Sequence, residues 1–419
     1  MSRSEARQPR EPRRRGAHLW VLGGAALGHV AIFAGLFRGP YSIPYSGTGL
    51  FYDYAGRVLA GQLPYRDFFA EYPPLAIGFF TLPRILGDSF RWYYVWYQVE
   101  VVIADLLIVL ALYVAARRWV LPFWRLIAIY TLAVLAVGPI NLQQFDIFPA
   151  ALSLFAVLRF AADDAIGAGT LLALAVMTKV YPILLAPMFV LLAWQGNRRG
   201  IGRALVAFAI TCLLILLPWL LRDPGSLRGM LAFHAERRTH LDSVYSTIAS
   251  VLRSLGAGWV DVVYSSRSWN IAGPVADALA RASTFVLLGV LATIYVLIYR
   301  AARSKGSAAA RDIRFVGHGA LTVLLAAMAA SKVLSPQYLV WLTPFVPFVI
   351  GPRRTAIWVG IIVTGLLTYW IYPWRYQALL SRESSALVLL GARNTALIAT
   401  AVLAAVSLVH ARGHAPADS

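Results

Sequence analysis

Charged residues are few: Asp, Glu, Lys and Arg make up only 14% of this 419-residue chain. A soluble domain of that length carries about a quarter charged residues, so the shortfall excludes an ordinary soluble fold and points to a polytopic membrane protein. Cysteine is scarcer still. Cys212 stands alone inside an apolar run, so no internal disulfide can form and the redox compartment leaves no trace. Seven scattered histidines show no zinc-ligand spacing, and neither a metal nor another cofactor is expected. No internal repeat and no linker to a second soluble domain is visible. Acidic residues are half as many as basic ones, 19 against 38, for a net charge of +19. The arginines cluster between apolar runs, where membrane orientation accounts for them, so nucleic acid is not an expected partner.

What the chain does have is apolar length. Hydrophobic residues make up 59%, and 13 Trp and 20 Tyr suit a protein with many membrane–water boundaries. Residues 1–17 read as a disordered basic tail and residues 18–37 as a retained first helix rather than a cleaved leader. Residues 74–87 are too short for a simple crossing and read as an interfacial or re-entrant helix. Further spans are expected near 92–116, 121–138, 145–161, 164–178, 180–194, 204–221, 283–299, 314–331, 337–350, 356–373 and 388–410. Around Lys179-Val180-Tyr181-Pro182 the pattern also fits one helix broken near a membrane face. The expected fold is an all-α bundle of about twelve transmembrane helices. Residues 18–410 form a single unit, with a short tail at 411–419.

Arginine placement tests this threading. With the N-terminus in the cytoplasm, Arg117-Arg118, Arg198-Arg199, the basic run 300–314, Arg353-Arg354 and Arg412 all fall on one side, as positive-inside bias requires. Both termini are then cytoplasmic in a multi-pass protein of the cytoplasmic membrane. The outer face receives residues 38–91 and the long segment 222–282, which is expected to be structured against the membrane surface.

The stretch 41–74, YSIPYSGTGLFYDYAGRVLAGQLPYRDFFAEYPP, is the place to look for chemistry. It brings Asp53, Asp67 and Glu71 to the outer face, with prolines that fix backbone angles around the last two. Each could serve as a general base toward an acceptor hydroxyl, or simply pair with Arg57 or Arg66 at the surface. Asp146, just after Asn141-Leu-Gln-Gln144, opens a predicted span as a helix cap or faces the same cavity as the first loop. Within a span, Asp105 suits a buried hydrogen-bond hub, whereas Glu100 could reach toward the surface. Lys179 (TKVYP) and Lys332 (SKVLSPQYLVW) each end an apolar run just before a proline that frees backbone. They snorkel to the interface or neutralise the phosphate of a lipid-linked substrate. Arg237, Arg238, His234 and His240 in the long outer segment are further phosphate candidates, with a solvated face as their ordinary explanation.

Four phrases in order carry a resemblance: YAGRVLAGQLPYRDFFAEYPP, QFDIFPAALSLFAV, LLALAVMTKVYPILLAPM and SKVLSPQYLVWLTP. Over roughly residues 18–410 the chain resembles GT-C integral-membrane glycosyltransferases, in particular the polyprenyl-phosphate-mannose-dependent mannosyltransferases of family 87. The resemblance implies transfer of a sugar, mannose by default, from a polyprenyl-phosphate donor to a glycolipid or glycan acceptor outside the cytoplasmic membrane. It implies inversion at the anomeric carbon, a first-loop aspartate as base, and contacts with membrane lipids. Asp53 is then the preferred base, Lys332, Lys179, Arg237 and Arg238 bind the donor phosphate, and Asp146, Gln144, Asp105, Gln337 and Tyr338 line or support the cavity. The chain departs from the pattern at one point. Ser46-Gly47-Thr48-Gly49 stands where related sequences place an aspartate. Two other classes remain open: a transporter or flippase of a lipid-linked sugar, and a catalytically silent accessory subunit of envelope assembly.

Overall fold

Backbone N–H and C=O groups have no water to pair with inside hydrocarbon, so segments that cross a bilayer must satisfy them internally. The apolar runs of this chain accordingly fold as helices. The computed structural model describes residues 13–37, 47–223, 225 and 227–410. The tail at 411–419, most of the N-terminal tail and Ser46 lie outside these residues. Helix α1 is Arg13–Phe37, and the first loop then folds into α2 (Thr48–Leu59) and α3 (Pro74–Leu86). Next come α4 (Phe90–Arg118), α5 (Phe123–Val137), the single turn α6 (Ile140–Gln143), α7 (Ile147–Ala161) and α8 (Ala165–Thr178). A 3-10 turn, Tyr181–Leu185, leads into α9 (Ala186–Trp194), and α10 is Arg198–Arg222. Seven helical segments among the described residues are long and apolar enough to cross a membrane, and shorter apolar helices pack among them. The body is therefore that of an all-α polytopic membrane protein.

The long segment after α10 is structured, and not only by helices. It holds α11 (Arg228–Ala235), strand β1 (Thr239–His240), α12 (Val244–Ser254) and the hairpin β2 (Asp261–Ser265) and β3 (Ser268–Ala272). The three strands form one antiparallel sheet in the order β1-β3-β2, with His240 opposite Asn270 and Tyr264 opposite Trp269. Leu241, Ala249, Val260 and Ile271 from this segment join Ile371, Leu379 and Leu390 in a small apolar core of their own. That core fixes the sheet to α13 (Pro274–Arg303), α16 (Tyr376–Leu380) and α17 (Ser384–His410); α14 (Ile313–Ala330) and α15 (Arg354–Tyr369) are the other late helices.

One expected span is corrected. Residues 337–350 do not form a helix; they fold as 3-10 turns at Pro336–Trp341 and Val346–Phe348, with most of the stretch buried in the main core. Pro336, Pro344 and Pro347 each lack an N–H, and together they break the helical ladder that the apolar composition suggested. A segment buried in protein tolerates such irregular backbone at depth, where a lipid-facing one would not.

Candidate active site

At one end of the bundle, the loop between α2 and α3, the corner after α8, the sheet and the 3-10 segment at 336–341 converge around a cavity of about 550 Å³. The corner after α8 forms because Pro182 cannot continue an α-helix. Lys179 leaves the helix in an extended conformation, with φ −156° and ψ 138°. Its ammonium donates to Asp146 Oδ1 at 2.6 Å, and the Asp146 side chain is fully buried. The indole N–H of Trp341 donates to the same oxygen, whereas Asp146 Oδ2 is buried without a hydrogen-bond partner. Although Asp146 stands at the N-cap position of α7, its side chain caps nothing. The carboxylate serves Lys179 instead.

Aromatic rings complete the surroundings of Lys179. Its ammonium lies 4.7 Å from the centre of Phe145, 5.4 Å from Tyr338 and 5.5 Å from Trp341. Tyr181, Trp341 and Tyr338 stack in sequence, with centroid separations of 3.8 and 3.9 Å. Such a column presents flat apolar faces held by one another, with a cation set among them.

Glu71 also lines the cavity and is the one carboxylate among its lining residues. The loop phrase EYPP holds it in place, since Pro73 and Pro74 start α3 directly after it. Glu71 Oε2 accepts from Tyr54 at 2.8 Å and from the Arg267 guanidinium at 2.7 Å, and Arg267 also donates to the Tyr54 hydroxyl. The backbone carbonyl of Glu71 accepts from His234 Nε2 at 2.8 Å. Burial pushes the His234 pKa below the usual histidine value, in keeping with a neutral ring that donates here. His240, also lining the cavity, is pushed down to about 3, first by burial and then by Arg237 and Arg393. Arg237 reaches the cavity from beyond α11, donates to Ser268 Oγ at 3.2 Å, and keeps its Nε buried without a partner.

Arg267 comes from the tip of the β2–β3 hairpin, where Ser266 and Arg267 both take positive φ, 49° and 55°. A two-residue hairpin of this type normally uses Asn-Gly, because side-chain-bearing residues are strained in the left-handed region. The bonds from Arg267 to Tyr54 and Glu71 tie that tip to the first loop.

The structure thus gathers Glu71, Lys179, Arg237, Gln144, Gln337 and Tyr338 around one cavity, with Asp146 behind Lys179. It does not bring Asp53 or Asp67 there. Asp53 lies on the open face of α2, its side chain 53% exposed, paired with Arg57 one helical turn on at 3.0 Å. Asp67 is held by Arg66 at 2.8 Å and by the N–H of Leu63, which keep its carboxyl below the usual aspartate range. Arg238 points away as well, toward Asp277 at 3.8 Å, both at the surface. Lys332 is half-buried behind β1, where its carbonyl accepts from the His240 N–H at 2.9 Å; its side chain is not among the cavity-lining groups. Asp105 sits elsewhere, bonded by His29 at 2.8 Å and Tyr130 at 2.7 Å, and joins α1, α4 and α5. Glu100 does not reach the surface: both of its oxygens are buried without a partner.

The missing acid ahead of the YAGRV phrase has a local explanation. A Cβ on Gly47 would come within 3.0 Å of the Phe51 ring and 3.2 Å of Gln144 Oε1. A side chain at Gly47 would therefore press on those two neighbours. Sequence reasoning passed over Arg267, Tyr181 and Trp341. The last two lie inside the phrases TKVYP and SPQYLVW that bracket the two lysines, so proximity to those motifs was an available signal; for Arg267 there was none.

A family model described as glycosyltransferase family 87 matches residues 69–326. No curated protein matches the chain. Among solved structures, ArnT from Cupriavidus metallidurans in the apo state is similar over 95% of this chain and 78% of its own, at 15% identity and a TM-score of 0.48.

Proposed function

The chain belongs to glycosyltransferase family 87, and from that premise we propose that it transfers a sugar, mannose by default, from a polyprenyl-phosphate donor to a glycolipid or glycan acceptor. The observation that carries the reading is the cavity itself, whose lining combines a single carboxylate, the cations Lys179 and Arg237, and a column of stacked rings. In this mechanism the donor phosphate sits against Lys179 and Arg237. The sugar lies on the Tyr181–Trp341–Tyr338 column, and an acceptor hydroxyl approaches from the side of Glu71. The acceptor oxygen forms a bond to the anomeric carbon as the bond from that carbon to the phosphate oxygen breaks. Glu71 takes the hydroxyl proton, and the departing phosphate keeps the electron pair under the charge of Lys179 and Arg237. One displacement inverts the anomeric configuration. Asp146 holds Lys179 in place, and Arg267 holds the Glu71 carboxylate in position.

We further read residues 18–410 as one unit of about twelve crossings, with the cavity on the outer face of the cytoplasmic membrane and both termini inside. Support for that orientation comes from the basic ends of α4, α7 and α13 and the basic start of α10. The ion pair between Glu71 and Arg267 favours a second reading, a silent accessory subunit whose carboxylate is permanently occupied. The deciding experiment gives purified protein in bilayer discs a radiolabelled polyprenyl-phosphate sugar and membrane glycolipid. Label appearing in the glycolipid, with inverted anomeric configuration, supports the transferase. Absence of transfer to any envelope acceptor, with donor still bound, points to the silent subunit.

A further inference from the structure

Along α8, from the turn after Lys179 to the opposite end of the helix, lies a second concave region that the transfer reaction does not use. An apolar groove of about 380 Å³ runs between α8, α9 and the first half of α10, walled by Leu172, Phe189, Val190, Ile201, Leu205 and Phe208. Its floor is fixed by close helix packing: a Cβ on Gly169 of α8 would come 2.2 Å from the Ala204 carbonyl oxygen of α10. Apart from Gly200, no residue of α10 is buried, so this wall faces the surrounding bilayer. At one mouth the groove opens into a shallower basin of about 560 Å³ that holds Arg198, Arg199 and Arg303, and Gly196 and Asn197 line both spaces. Arg198 lies over the Trp194 ring at 4.8 Å and Arg303 over Tyr299 at 6.0 Å. None of the three guanidiniums is paired with a carboxylate among the described residues. The nearby Asp163 is already bonded by Arg311 at 2.7 Å and by Asn197 at 2.9 Å.

We propose that this groove and basin together bind one anionic glycerophospholipid, an acyl chain in the groove and the phosphodiester on Arg198, Arg199 and Arg303. An apolar groove in a membrane accepts any hydrocarbon chain. The three guanidiniums have no carboxylate partner among the described residues, although Arg198 Nε donates to the Trp194 carbonyl at 3.0 Å. They supply the selection, since Arg recognises phosphate through planar, charge-assisted hydrogen bonds. A zwitterionic headgroup would set its amine among those cations with the one close carboxylate already engaged. The polyprenyl donor fits poorly. Its single phosphate belongs at the Lys179 cavity, and the 14 residues of α8 put the basin roughly 20 Å away at 1.5 Å per residue. Ile183 and Ala186 of the groove belong to the turn that follows Lys179 and to the start of α9. The groove thus extends from the basin to the turn that follows Lys179.

The test is native mass spectrometry of the full-length protein with phosphatidylglycerol and, separately, phosphatidylcholine, alongside transfer kinetics. Wild type should retain phosphatidylglycerol selectively. The triple variant R198Q/R199Q/R303Q should bind it about a hundredfold more weakly, following the typical worth of three basic groups near an anionic lipid. R353Q/R354Q, which neutralises a different basic turn, should leave retention unchanged. Groove-filling V190W should also lose phosphatidylglycerol while the donor KM holds steady. Equal retention of the two lipids by wild type, or equal losses in the two arginine variants, would overturn the proposal. So would a V190W variant that raises donor KM with phosphatidylglycerol still bound, because the groove would then house the prenyl chain. Lipid retention is read without any sugar transfer, so failure here is distinct from failure of the transferase reading.

Discussion

Lys179 and Lys332 occupy nearly the same local sequence, Lys-Val-Tyr-Pro and Lys-Val-Leu-Ser-Pro, each at the end of an apolar helix. In both places the helix ends and irregular backbone follows. The outcomes differ because the partners differ. Lys179 meets a buried carboxylate and three aromatic rings at the wall of the cavity, whereas Lys332 lies half-buried behind β1 with its carbonyl engaged by His240. A lysine before a proline turn marks where a helix breaks. Whether the charge reaches substrate is settled by what packs against it from other parts of the chain.

The sharpest way to break this comparison is to remove each amine. Lys179→Met should lower kcat/KM for sugar transfer by about 10²- to 10³-fold, the usual cost of losing one charged stabiliser of a developing anion. Lys332→Met should stay within about threefold of wild type in the same assay. Equal losses would mean that both lysines touch the donor.

Asp146→Asn sharpens the Lys179 side. It leaves the ammonium without its buried carboxylate, and breaking such a pair costs about 3–5 kcal/mol. We expect a clear fall in thermal midpoint in detergent and about a tenfold drop in transfer, with Asp53→Asn as the unchanged control. The smallest effect concerns pH. Burial and the nearby Arg237 lower the Lys332 pKa from the usual lysine value, so its amine loses its proton at a lower pH than an exposed lysine. Whatever long-range charge it lends the donor site therefore fades as pH rises toward the alkaline range. Donor KM should climb slightly with pH in wild type and remain flatter in Lys332→Arg, measured across a pH series in bilayer discs.

Much of this arrangement was legible in the residues. Hydrophobic periods and lengths gave the helices, and the proline after Lys179 gave the break at α8. The density of Tyr, Pro and acid in the first loop identified the element that supplies Glu71. Other features depended on contacts between distant parts of the chain. The buried stretch at 336–348 is as apolar as a span, and only its three prolines distinguish it. Asp53, Asp67 and Glu71 look alike in sequence, yet the i+4 spacing turns Asp53 to Arg57 and the Leu63 turn engages Asp67. Glu71 alone is closed in by Tyr54 and Arg267. Arg267 arrives from 196 residues further along, on a hairpin tip whose Ser-Arg sequence carries no turn signal.

The central claim is that Glu71, rather than Asp53, is the base of a sugar-transfer site. Single-turnover transfer from a labelled polyprenyl-phosphate sugar, measured for Glu71→Gln and Asp53→Asn side by side in purified protein, tests it most directly. The account predicts a loss of about 10²- to 10⁴-fold for Glu71→Gln, with donor binding retained, and near-wild-type rates for Asp53→Asn. Full activity in Glu71→Gln together with a collapse in Asp53→Asn would contradict it.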